Sequence, residues 1–249
     1  MTRTRAAVMA ELRRLLPGVA DERAALAFGL AALDSHLPEG GLACGALHEV
    51  VPEAQSAFAA AFGFIAAFLA RLSRVHPLIF VMPAYGRRPY GRLHGHGLNC
   101  LGLDPARAIL IETAHRKDTL WAMAEALRSA APAAVAGMID RLDLKTSQRL
   151  HLAASDAGLP LLLIRPAHTL EASAAATRWR IGAAPAARDR FGLFARPRWH
   201  LQLERCRNGR PGEWVVEYDH VAHRFSLAAA LADPALSRRA GDRPFRQTG

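Results

Sequence analysis

The fold is decided by residues 133–165, AAVAGMIDRLDLKTSQRLHLAASDAGLPLLLIR. Residues 133–140 and 160–165 are short apolar runs without alternation, which is typical of strands buried on both faces of a sheet. Between them, residues 144–157 form a helical segment, and Gly158 is suited to end that helix. A strand, a helix and a second buried strand in this order predict a βαβ unit with parallel strands.

The same alternation extends toward the amino terminus. Strand-like apolar runs occupy residues 46–51, 78–82 and 108–112, and helical patterns occupy residues 54–73 and 117–130. The glycine-rich residues 83–99 predict a loop or a short helix. This alternation predicts an α/β fold with a mostly parallel, twisted sheet flanked by helices.

After residue 170 the pattern changes to apolar and polar residues in alternation. Residues 178–181, 199–205 and 214–218 follow it, and an Asn-Gly pair at Asn208 and Gly209 separates the last two segments. Alternation indicates strands with one buried face, and Asn-Gly favours a tight hairpin turn. We therefore expect a carboxyl-terminal antiparallel β extension.

The two ends of the chain differ from the rest. Residues 1–20 contain an amphipathic helical pattern over residues 5–16, and residues 229–249 have the composition of a disordered basic tail. The expected organisation is an amino-terminal helix (1–20), one α/β domain (21–228) and the tail (229–249). No signal peptide or run long enough to span a membrane is apparent, so we expect a cytoplasmic protein with no membrane partner.

Charge indicates a possible class of partner. The formal net charge is +10, and residues 165–210 contain ten arginines against three acidic residues. Such a surface suits DNA or an acidic protein, although an arginine-rich composition without any binding role is the alternative. The arginines expected to contact DNA or a partner are Arg178, Arg180, Arg188, Arg190, Arg196, Arg198, Arg205 and Arg207.

The order of these elements resembles RecA over roughly residues 28–220. Residues 29–34, followed by the glycines at 40, 41 and 45 and by Glu49, are similar to the RecA segment that leads to its phosphate-binding loop. Asp140 falls where the RecA family carries its Walker B acid, and the hairpin of residues 199–218 corresponds to the last strands of the RecA core. The resemblance implies a RecA-like core within residues 21–228.

The phosphate-binding loop itself is absent. The motif G-x-x-x-x-G-K-[ST] binds phosphates through backbone N–H groups and the lysine, and magnesium through the hydroxyl. Residues 51–58 are VPEAQSAF, with Val51 and Ser56 in place of the glycines, Ala57 in place of the lysine and Phe58 in place of the hydroxyl residue. We therefore expect a degenerate loop without nucleotide binding, and no catalytic residue, metal or cofactor.

A RecA-like core without its phosphate loop, with a short amino-terminal helix and a basic carboxyl-terminal half, resembles the ImuA family. That resemblance implies an SOS-inducible, non-catalytic accessory role in translesion synthesis and DNA-damage-induced mutagenesis. The partners it implies are an ImuB-like inactive polymerase adaptor and an error-prone replicative-type DNA polymerase. RecA, a second copy of the chain and DNA are further candidates.

Two other functions and two other sites are alternatives. A SulA-like cell-division inhibitor also has a RecA-like core without a phosphate loop, and a RecA-like ATPase could bind nucleotide atypically. His94, His96 and Cys100 lack a second ligand group at the spacing that zinc requires, so we expect no metal there. The aromatic and arginine residues of 85–92 suit contact with bases and phosphates, but a solvated loop has the same composition.

Overall fold

The computed structural model describes residues 25–72, 76–84, 93–188, 191 and 193–228. The predicted amino-terminal helix, the basic tail and the aromatic stretch of residues 85–92 lie outside the described residues. The strands of the described part are β1 Ala25–Leu26, β2 Leu42–Ala43, β3 Leu47–Pro52, β4 Leu78–Pro83, β5 Ala108–Thr113, β6 Ala134–Met138, β7 Leu161–Ile164, β8 Thr177–Arg188, β9 Phe194–Cys206, β10 Gly212–Asp219 and β11 Arg224–Leu227. The α-helices are α1 Ala31–Asp34, α2 Phe58–Leu69, α3 Gly95–Cys100, α4 Arg116–Arg128 and α5 Leu144–Ala157.

One nine-stranded sheet organises these elements, in the order β11-β10-β9-β8-β3-β7-β6-β4-β5. The strands from β8 to β5 pair in parallel, whereas β9, β10 and β11 pair antiparallel. β1 and β2 form a separate small antiparallel pair. The predicted α/β class with a mostly parallel sheet and an antiparallel carboxyl-terminal extension is confirmed.

Local interactions set the ends of α5 where the sequence predicts them. The carboxylate of Asp143 accepts a hydrogen bond from the Thr146 N–H at 2.8 Å, which caps the first turn. Gly158 ends the helix with a φ of 64°, a left-handed conformation that glycine adopts without a steric cost.

Other predicted bounds shift. The helix expected from residue 54 begins at Phe58, because the Glu53 N–H donates to the Ile181 carbonyl and residues 55–57 form a 3-10 turn. β8 and β9 are longer than their alternating segments, at 12 and 13 residues. Residues 95–100 form a short helix, one of the two structures expected for residues 83–99, and β11 adds a strand that the sequence pattern did not predict.

We call the two faces of the sheet face A and face B. α2 packs on β3, β7 and β8 at face A, where Phe28, Phe64, Trp179 and Trp199 form an aromatic cluster. α4 packs on β4, β5 and β6 at face B, and α5 packs beside it on β3. Successive strand residues point to opposite faces, so the buried parallel strands supply apolar side chains to both cores.

Face A also contains a buried polar chain centred on His48. The Trp179 indole donates to the Thr177 hydroxyl at 2.9 Å, and the His48 Nδ1 lies 2.9 Å from that hydroxyl. The His48 Nε2 lies 2.9 Å from the Ala43 carbonyl, which only accepts, so the neutral Nε2–H tautomer satisfies every partner. Burial lowers the pKa of His48 to about 4, which keeps the ring neutral at physiological pH.

Candidate functional site

The carboxyl end of β3 is the candidate site. Open parallel sheets bind ligands outside the carboxyl ends of their strands, at the place where neighbouring connections leave in opposite directions. The connection from β3 leads to β4 on one side of it, whereas β8 is its neighbour on the other side. Residues 51–58 lie at this place, so the structure of this loop determines which ligands the edge can bind.

The four residues at the motif positions have separate environments. Val51 is fully buried within β3, Ser56 is exposed and Ala57 is half-buried. The Phe58 ring is buried in the face A core and stacks on Phe62 with centroids 6.4 Å apart. The loop therefore contributes one exposed hydroxyl, and its aromatic residue serves the packing of α2.

The backbone of this loop does not form a phosphate cradle. A cradle needs consecutive N–H groups aimed at one point, often through a residue with positive φ, and none of residues 51–58 has a positive φ. The Glu53 N–H is bonded to the Ile181 carbonyl at 2.9 Å, and the Ala57 N–H to the Ala54 carbonyl at 3.0 Å. One donor of the loop thus holds it against β8, and a second closes the 3-10 turn within the loop.

The loop also carries a carboxylate. The Glu53 side chain bonds the His200 ring and lies against Gly182, where a Cβ atom would overlap it. The other nitrogen of His200 lies 2.6 Å from the Glu213 carboxylate. Burial lowers the pKa of His200, but the two carboxylates outweigh it, and the net shift is upward. The loop thus places a carboxylate, bonded to His200, at the edge where the motif would place a lysine, and a carboxylate offers phosphate no attraction.

Asp140 follows β6 at the same edge of the sheet. Its side chain is exposed and accepts a hydrogen bond from the N–H of its neighbour Arg141 at 2.8 Å. Such a local bond is typical of an acidic residue that follows the end of a strand. Among the described residues, no group of three or more His, Cys, Asp or Glu side chains could hold a metal ion, at Asp140 or elsewhere.

A buried ion-pair network spans β3, β7 and β8 on face B. Glu49 accepts hydrogen bonds from Arg165 at 2.9 Å and from Arg178 at 2.9 Å, and the Glu49 and Arg165 side chains have no exposed surface. Glu171 adds a second carboxylate 3.3 Å from Arg165. Burial lowers the pKa of Arg165, and the two carboxylates oppose that shift. This network ties residues 165–178 to β3.

Sequence reasoning did not pair these residues. The sequence pattern placed Arg165 in the basic stretch of residues 165–210 and Glu49 in the RecA-like segment. The available signal was a charged residue within or directly after each of two buried strands, β3 and β7. Buried charges require partners, so such residues on different strands are candidates for one pair.

Comparison with known proteins gives the family. The chain is similar to Protein ImuA of Caulobacter vibrioides strain NA1000 / CB15N and of strain ATCC 19089 / CIP 103742 / CB 15. Each alignment has 32% identity over 237 residues and covers 88% of this chain and 95% of the relative. The chain belongs to the ImuA family. No family model matches the chain.

Membership of the ImuA family supports an accessory role in DNA-damage mutagenesis. It agrees with the resemblance that the sequence motifs gave. Within the described residues of this ImuA-family chain, no helix is long and apolar enough to cross a membrane.

Four of the arginines predicted to contact DNA or a partner are ion-paired within the ImuA-family fold. Arg178 pairs with Glu49 at 2.7 Å, and Arg180 pairs with Glu204 at 2.5 Å. The remaining pairs join Arg196 to Glu217 and Asp219 at 3.0 and 2.9 Å, and Arg198 to Glu217 at 2.8 Å. These pairs neutralise much of the positive charge on the face B side of β8–β10.

Two other predicted arginines bond backbone carbonyls instead of carboxylates. Arg205 donates to the carbonyls of Ser173 and Ala175, and Arg207 donates to the carbonyl of Ala174. Both residues are exposed, and neither has an ion-pair partner among the residues the structure describes. Arg188 lies in β8, and Arg190 is outside the described residues. Contact of this set with DNA or a partner stays a prediction, and Arg205 and Arg207 are its best-placed members.

Proposed function

We propose that the chain is a non-catalytic accessory protein of DNA-damage-induced translesion synthesis and mutagenesis. In this proposal it has a degenerate RecA-like core and acts by binding polymerase-associated partners. An ImuB-like inactive polymerase adaptor and an error-prone replicative-type DNA polymerase are the proposed partners. The observation that carries the proposal is 32% identity to Protein ImuA over nearly the whole of both chains.

The geometry of the β3 edge supports action without nucleotide. The Glu53 N–H of the loop is bonded to β8, the Ala57 N–H is bonded within the loop, and the Glu53 carboxylate lies beside them. Phe58 occupies a motif position with a ring that packs in the core. Phosphate binding by the Glu53 N–H would require it to leave the Ile181 carbonyl, which costs stability, and Phe58 has no hydroxyl that could hold magnesium.

Calorimetry with Mg-ATP tests the non-catalytic part of the proposal. The full chain should give no saturable heat at micromolar protein, and a Glu53→Gln variant should behave identically, because the loop lacks phosphate ligands as well as carrying a carboxylate. A dissociation constant in the low micromolar range for either protein would contradict the proposal.

Affinity capture from ultraviolet-damaged cells tests the partners. The tagged full chain should retain an inactive polymerase-like protein, together with a replicative-type polymerase. Capture of the tubulin-like division protein in their place would favour the SulA-like alternative.

A further inference from the structure

A groove between α4 and α5 lies on the solvent side of face B, and residues 51–58 at the β3 edge do not line it. Its volume is about 870 Å³, and both helices contribute to its lining. The apolar part of the lining consists chiefly of Leu120, Trp121, Ala124, Leu152 and Ala153. Two packed helices leave a groove of this kind, into which the ridge of a third helix fits.

Two large apolar side chains on the walls of the groove are exposed. Trp121 is 65% exposed and Leu152 is 59% exposed, and they project from facing helices. Tryptophan is the residue type most enriched among those that dominate the affinity of protein interfaces. Neither side chain is part of the face B core. Core packing therefore does not explain why these two positions carry large apolar residues.

The rim of the groove is positive. Lys117 and Arg128 on α4 and Arg149 on α5 line it, against one carboxylate from Asp156. Arg128 is paired with Glu125. Lys117 and Arg149 have no ion-pair partner in the part of the chain that the structure describes. Among the described residues, a ligand that covers the apolar floor would therefore meet two unpaired cations and one unpaired carboxylate at its edges, a net charge of +1.

The two ends of this chain are poorly suited to bind in the groove because of their charge. Residues 1–24 contain five arginines and three acidic residues, and residues 229–249 contain four arginines and two aspartates. Both segments are net positive, like the rim. Complementarity instead requires an apolar ridge with acidic flanks.

We propose that the groove between α4 and α5 docks an amphipathic helix of a partner protein, with acidic residues flanking its apolar face. Trp121 and Leu152 contact the apolar ridge, and Lys117 and Arg149 pair with the flanking carboxylates. α4 has 13 residues, so the docked helix spans about three and a half turns. This inference deepens the proposed function, because it gives the chemistry of one partner surface.

A designed peptide tests the chemistry directly. The probe is an 18-residue helix with leucines at helical spacing on one face and glutamates beside them, and the comparison peptide has lysines in place of the glutamates. The full chain should bind the glutamate peptide at least tenfold more tightly. Equal affinities would overturn the acidic preference, and binding of neither peptide would overturn the proposal.

Variants on the two walls test the location. Trp121→Ser should weaken binding of the glutamate peptide by about thirtyfold, the loss typical of an interface tryptophan. Lys117→Glu with Arg149→Glu should weaken it further than Lys145→Glu, a control on α5 that is exposed but does not line the groove. Unchanged binding by Trp121→Ser would overturn the assignment. So would a dimer of the wild-type protein in solution that Trp121→Ser converts to a monomer, because a second copy would then cover the groove.

Cells separate this inference from the proposed function. Deletion of the gene should abolish damage-induced mutagenesis, and Trp121→Ser with Leu152→Ser should reduce it at least tenfold at matched protein levels. If deletion has the effect and the groove variant retains full mutagenesis, the inference fails alone. If deletion has no effect, the proposed function fails.

Discussion

Glu49→Gln is the substitution whose cost follows most directly from the structure. The variant keeps the size of the side chain and removes the charge that Arg165 and Arg178 share. Arg165, whose side chain has no exposed surface, would keep only the half-exposed Glu171 at 3.3 Å as a counter-charge. Removing one partner of a buried pair costs about 3–5 kcal/mol, a large part of the roughly 5–15 kcal/mol by which domains are stable.

Glu204→Gln is the matched control. Glu204 pairs with Arg180 at 2.5 Å on the same sheet, but about a quarter of each side chain is exposed. Water therefore solvates the freed arginine, and we expect a loss of about 1 kcal/mol or less.

Urea unfolding followed by circular dichroism measures both variants. The Glu49→Gln midpoint should fall several times further than the Glu204→Gln midpoint, with the slope of each transition unchanged. Equal, small shifts would refute the reasoning, because they would mean that the buried network does not depend on the Glu49 charge.

Two further predictions concern acid and salt. Because the pKa of His48 is lowered from 6.5 to about 4, the unfolded chain binds the proton more readily, so stability should fall by up to ~3 kcal/mol as pH drops from 6.5 to 4. Urea midpoints across this range should show the loss, and His48→Gln should make the midpoint less dependent on pH. If the midpoint of that variant depends on pH as strongly as the wild type's, other groups cause the loss. Arg205→Gln with Arg207→Gln should reduce the salt dependence of DNA binding by about 2 in log–log slope, whereas Arg196→Gln with Arg198→Gln should change it less. Fluorescence titrations at several salt concentrations measure the slopes, and equal effects of the two pairs would contradict the distinction between free and paired arginines.

The parallel half of the fold was predictable because its signals are local. Apolar runs placed β3, β4, β5, β6 and β7, and single residues such as Asp143 and Gly158 set the ends of α5. β11 was not predicted because its four residues, RFSL, are too few to show a clear alternation of apolar and polar residues.

The electrostatics were not predictable because the partners are distant in the chain. Arg196 and Glu217 are 21 residues apart, and Glu49 and Arg165 are 116 apart. A count of charges along residues 165–210 gives a basic surface, whereas strand register places acids from β10 beside those arginines. For the β3 loop, sequence predicted which ligands are missing, but not that Glu53 would bond His200.

Mutation frequency after ultraviolet damage tests the central claim, that the protein acts by contact and without nucleotide. Cells carrying Asp140→Ala at normal protein levels should mutate at the wild-type frequency, because Asp140 is exposed and bonds only its neighbour's N–H among the described residues. Cells lacking the gene should show no induced mutation. An Asp140→Ala frequency equal to that of the deletion, with the folded protein present, would contradict the account.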